Sequence, residues 1–209
     1  MRQSSFEQVR PVASLQEFFK DSVSDAMRRQ RLEVEDHTAH YVVNLLTLFS
    51  RSEALYERTQ SGVGLKPLAL MLAEAFDADS REERNLTLQR VGDVSLFVAG
   101  FFADSLERKP VDVDYYVHMG GSAYGSLSEH VRGTLRGKAF GPVFAELARK
   151  FQDFVDVLND IRDKARSKQD QDVLRLYELW LRTGSRRAEA LLRSLGIEPN
   201  GNLTTEPRH

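Results

Sequence analysis

Two stretches of this sequence set imidazoles and carboxylates at spacings that a helix would turn into a site. With each residue turned by about 100°, Glu33, Asp36, His37, His40, Asn44, Thr47 and Arg51 fall within one stripe. Glu33 with His37 and Asp36 with His40 are i,i+4 pairs, and His37 and His40 stand about one turn apart, so two ligating nitrogens would have carboxylates at hand. The rest of the circumference is apolar, through Val34, Ala39, Tyr41, Val42, Val43, Leu45, Leu46, Leu48 and Phe49. A polar line on such a helix is its window onto water or the lining of an internal site, and a solvated face is the commoner case. The second stretch, Asp114 to Gly125, carries Asp114 and His118 one turn apart, opposite an apolar stripe and beside Gly121 and Gly125. Glycine inside a helix costs about 1 kcal/mol, so close packing or a ligand groove must offset it, and close packing is the commoner reason.

Together these residues define a metal site that could exist only if the two helices meet. His37, His40 and His118 would be ligands, with Glu33, Asp36 or Asp114 as ligand or base, and their nitrogens would have to converge to within about 3–4 Å. The paired Glu-x-x-His signature of carboxylate–histidine bundles is absent. Asp93, in Arg90-Val91-Gly92-Asp93-Val94, shares a wheel face with Arg90, Asp104 and Glu107, which predicts an exposed or ion-paired acid. Gly120 and Gly125 have the separation of a phosphate-binding loop, but Ser126-Leu127 replaces the Lys-Ser/Thr it requires. Arg182, Arg186, Arg187 and Arg193 read as a solvated charge cluster.

Composition narrows the options further. The chain has no cysteine, so thiol nucleophiles, disulfides, zinc–thiolate sites and cysteine-ligated iron–sulfur clusters are excluded. With 29 basic and 31 acidic residues the net charge of −2 exerts no overall pull toward nucleic acid or anionic lipid. No apolar run approaches the ~20 residues of a membrane span, and Met1 to Ser5 leads into no signal-peptide apolar region, so a cytoplasmic location is the expectation.

The elements that would position these residues are helical. Capping and breaking signals predict an all-α, compact bundle of about eight helices without a sheet. Ser14-Leu15-Gln16-Glu17 opens the first helix, to Gln30, and the second runs from Glu33 to Arg51, with an extension to Arg58 open. Gln60 to Gly64 reads as a loop, and Pro67 starts a helix to Phe76. Ser80-Arg81-Glu82-Glu83 opens a long helix to Leu106, and another spans Val111 to Val131. Gly133, Gly137 and Gly141 predict a flexible connection ending at Pro142, followed by one amphipathic helix to Arg166. Leu174, Tyr177, Trp180 and Leu181 mark a helix that Gly184 stops, and Ser185 caps a last one to Leu195. One domain over residues 14–196 is expected, with residues 1–13 and 197–209 as flexible ends.

Gly92-Asp93, Phe101-Phe102, Asp114-Tyr115-Tyr116, Met119-Gly120 and Ala123-Tyr124-Gly125 together resemble a pattern from uncharacterised bacterial helical proteins. The resemblance lies within the middle third of the chain and implies no activity. The expectation is therefore a non-catalytic helical protein that binds a protein partner or small ligand, as a homo-oligomer and without membrane or nucleic acid. The alternative is a metal-dependent helical-bundle enzyme. No cofactor is identified.

Overall fold

A computed structural model describes residues 15–50, 52–59, 62–106, 111–167, 179–180 and 183–194. Phe19, Val23, Ala26 and Met27 recur on one face of the first helix, α1 (Leu15–Gln30), and are buried together. Its end is closed by Arg31 in the left-handed region, φ 54°, which brings the Leu32 N–H to the Met27 carbonyl at 2.9 Å. The next helix, α2 (Asp36–Phe49), buries Thr38, Val42, Val43, Leu45, Leu46 and Phe49. It stops earlier than expected, and a single turn, α3 (Ser52–Leu55), follows.

The fold is all-α, with one small exception where the sequence suggested a helix extension and a loop. Strands β1 (Glu57–Thr59) and β2 (Gly62–Gly64) pair as an antiparallel hairpin, Glu57 opposite Gly64 and Thr59 opposite Gly62. Helix α4 (Leu68–Asp77) starts just after Pro67, whose missing N–H is no loss at a helix start.

The centre of the fold is α5 (Arg81–Phe101). Ser80 caps it by accepting the Glu83 N–H at 3.1 Å, and every residue from Val91 to Phe101 is buried. The expected long helix breaks at Phe102 (φ −115°, ψ 15°), leaving α6 (Ala103–Leu106) as a separate turn. Around α5 pack α4, α7 (Val113–His130) and α9 (Phe151–Ser167). Helix α8 (Leu135–Arg149) lies on α7, and α1 lies on both α2 and α9. Among the described residues, no helix is long and apolar enough to cross a membrane.

The stretch expected to be a flexible connection is instead most of α8. Gly133 at φ 83° ends the α7 turn, and Thr134 caps the new helix by accepting the Gly137 N–H at 2.9 Å. A side chain at Gly137 would collide with the Val131 carbonyl, so glycine here permits a close turn rather than mobility. Pro142 removes one hydrogen bond from inside α8, but Val143, Phe144 and Leu147 bury on the core, so tertiary packing outweighs the local penalty. The break falls at Lys150 (φ −109°, ψ 26°), dividing what the apolar pattern presents as one helix into α8 and α9.

At the C-terminal side Gly184, φ 62°, donates its N–H to the Trp180 carbonyl at 2.8 Å, and the Ser185 hydroxyl accepts the Ala188 N–H at 3.3 Å. These are the expected stop and start, and they lead into α10 (Arg186–Ser194). Leu174, Tyr177 and Leu181, the expected extensions toward Leu195 and Gly196, and the two ends lie outside the described residues.

Two substitutions test this packing. Trp180 is 4% exposed, and Trp180→Ala is expected to cost about 3–5 kcal/mol in urea unfolding, whereas a loss below about 1 kcal/mol would place it at the surface. A methyl group at Gly100 would press on the Cβ of Leu158, an atom anchored to its own backbone. Gly100→Ala should therefore destabilise by about 1–3 kcal/mol although alanine is the better helix former, and a gain in stability would refute the close α5–α9 approach.

Candidate functional site

The residues with the most suggestive spacing do not assemble. Glu33, Asp36, His37 and His40 are exposed at the start of α2, and Asp114 and His118 are exposed on α7. Among the described residues no group of three or more His, Cys, Asp or Glu side chains could hold a metal ion, so the metal site built on these six residues does not form. The physical reason is that both polar stripes face solvent, the side of each helix left over once its apolar residues enter the core. Of the α7 glycines Gly120 serves packing, since a side chain there would strike Phe151, whereas a Cβ at Gly121 or Gly125 would sit in ordinary contact with Ala148 at 3.7 and 3.8 Å.

What the structure does assemble is a cluster around Asp93, and here the expectation of an exposed acid is wrong. Asp93 is 8% exposed and lies in the enclosed part of α5. The hydroxyls of Tyr41, from α2, and Tyr124, from α7, both donate to its Oδ1 at 2.6 Å. Gln89, one turn earlier on α5, donates its amide to the Tyr41 hydroxyl at 2.9 Å. Phe144 of α8 stacks on the Tyr124 ring at 5.9 Å and meets the Tyr41 ring edge-on at 5.7 Å. Gly92 makes room for this, because a Cβ there would lie 2.6 Å from Cε1 of Tyr124. Arg90 completes the surroundings: it donates to the carbonyls of Ala54 and Leu55, the latter at 3.0 Å, with its guanidinium 5.2 Å from the Phe49 ring centre.

The electrostatics follow from burial. Desolvation pushes the Asp93 carboxyl up to about 6, against the opposing pull of the two phenol hydrogen bonds and of nearby Arg90. Burial, and then the Asp93 charge, push both phenols well above their ordinary value, so they remain protonated donors across the physiological range. The cluster thus fastens α2 and α7 to α5 through one carboxylate oxygen. The signal that could have revealed it is the run from Val91 to Phe102, in which Asp93 is the only charged residue. A helix enclosed on all sides has no solvent face for that charge.

A second buried acid does related work at a helix end. Glu146 of α8 accepts the backbone N–H of Glu35 at 3.1 Å and the Lys150 ammonium at 2.8 Å, and that ammonium also donates to the Glu33 carbonyl. Helix α2 has no side-chain cap of its own, so a carboxylate from α8 sits at its positive end. Burial would raise the Glu146 carboxyl, but the hydrogen bonds from Lys150 and the Glu35 N–H outweigh it and hold it below the usual range.

Fold and cluster define an all-α protein organised around a buried carboxylate. The chain matches no protein-family model, no curated protein and no solved structure.

The Asp93 assignment predicts a specific pH dependence. Because folding raises this carboxyl from 3.8 to about 6, its contribution to stability is complete below about pH 4 and is lost as pH rises toward 6. Asp93→Asn keeps an oxygen for the phenols and removes the charge, so it should be at least as stable as wild type at pH 7. Its advantage should shrink by roughly 3 kcal/mol between pH 7 and pH 4. A difference between the two proteins that does not change with pH would show that Asp93 is not buried as described.

Proposed function

We propose that this chain is a non-catalytic binding protein that docks a protein partner through the outward face of α4. The observation that carries this reading is that α4 is apolar on two sides. Leu68, Met71 and Ala75 are buried, while on the other side Leu70 is 56% and Phe76 is 77% exposed, with Ala69 and Ala73 exposed beside them. Exposed Glu74 and Asp77 share that outward side, so the apolar part is Ala69, Leu70, Ala73 and Phe76, and water-exposed apolar surface forgoes about 25 cal/mol for each Å² left unburied. Small-molecule sites are concave, whereas a convex helix face suits another protein surface. The Asp93 cluster supports the non-catalytic part of the reading, since its donors come from within the fold and hold helices together.

Replacing Phe76 with the photo-crosslinking residue p-benzoylphenylalanine, in cells that make the protein, tests this directly. Irradiation should yield a covalent adduct of higher mass, while the same replacement at exposed Gln152 on α9 should yield none. Absence of an adduct from position 76 would overturn the docking surface.

A further inference from the structure

We infer that the outward face at the start of α8 docks reversibly on an anionic lipid surface, a contact separate from that of α4. The charge of the corner between α7 and α8 is the first part of the argument. From His130 to Ala145 the chain carries Arg132, Arg136 and Lys138 and no acid. Arg132 pairs with Glu129, both exposed, whereas among the described residues no ion pair holds Lys138. A net charge of −2 gives the whole protein no pull toward such a surface, so the attraction is local to this corner.

The second part is the apolar tip that the same corner holds out. Gly133 at φ 83° and the Thr134 cap turn the chain so closely that Leu135 stands at the first position of α8. Its 86% exposure is the highest of any large apolar side chain among the described residues. At about 100° per residue, Lys138, Ala139 and Pro142 lie within about 60° of Leu135, and all three are exposed. Val143, Phe144 and Leu147 turn the other way, into the core. Apolar groups flanked by cations suit the boundary of a bilayer, where the first enter the acyl region and the second reach the lipid phosphates. A folded partner would have to cover about 800 Å² with matched shape, whereas a bilayer closes around a lone projecting leucine. With one leucine and a few cations the attachment is weak and reversible, like that of a single acyl chain.

Co-sedimentation of the purified full chain with lipid vesicles tests the inference. Vesicles of phosphatidylcholine mixed with phosphatidylglycerol should bind the protein, vesicles of phosphatidylcholine alone should not, and added salt should release it. Leu135→Ser should lower the partition coefficient about tenfold. Arg132→Ser and Lys138→Ser should each lower it about fivefold. Helical circular dichroism should stay unchanged in all three, because the replaced side chains are exposed. Equal binding to both kinds of vesicle, or partition indifferent to Leu135→Ser and Lys138→Ser, overturns the inference. Absence of binding to the anionic vesicles overturns it too, and p-benzoylphenylalanine at position 135 then identifies the alternative: a covalent adduct in cells assigns the corner to a protein partner. The α4 surface is read from position 76, so the two readings fail separately.

Discussion

Helix α5 leaves no side for water between Val91 and Phe101, and within that enclosed stretch stands one carboxylate. A buried charge without partners is among the most expensive features a fold can carry, so the placement of Asp93 constrains its neighbours. The Tyr41 and Tyr124 hydroxyls must reach the same oxygen, which sets the rotation of α2 and of α7 about their own axes relative to α5. The Tyr124 ring can reach it only by passing over Gly92, and Phe144 fills the space beside both rings. One polar contact thereby orients elements from four parts of the chain. An apolar residue of the same shape could be as stabilising, but it would not select one rotation of each helix over another. Fixing registry is the best attested use of a buried polar group.

Other polar ties fall where helices end and backbone groups lack partners. Glu146 and Lys150 close the start of α2 from the end of α8, and Arg84 donates from α5 to the Ala75 and Phe76 carbonyls at the end of α4. Arg90 does the same for the carbonyls of α3. These are charged side chains spent on internal architecture, each meeting a backbone group that folding would otherwise strip of water. The exposed imidazole stripes do the opposite and remain with solvent. Large apolar side chains also face outward, among them Leu70 and Phe76 on α4 and Leu135 and Phe140 on α8.

Local chemistry made much of the fold legible from residue order. The caps at Ser80 and Ser185, the stop at Gly184 and the start after Pro67 depend on contacts within a few residues, so the string of letters contains both partners. The misread places share a cause. Gly137 and Pro142 are locally unfavourable in a helix, and α8 exists because Val143, Phe144 and Leu147 have a core to enter. The break at Lys150 leaves the apolar spacing intact on both sides, so periodicity alone cannot find it.

The candidate site divides in the same way. Sequence by itself determined the helical class, the exclusion of thiol chemistry and the identity of the residues able to carry charge or ligate. It could not decide which of them would meet. His37, His40 and His118 look like partners on paper because helical spacing aligns side chains along one helix, yet nothing in that spacing brings two helices together. Asp93 looked exposed because a wheel compares residues only with others on the same helix, and α5 is wrapped by α4, α7 and α9. Its partners lie 52 and 31 residues away in the chain. Contacts at that separation are chosen by how apolar surfaces pack, and only the tertiary structure contains that choice.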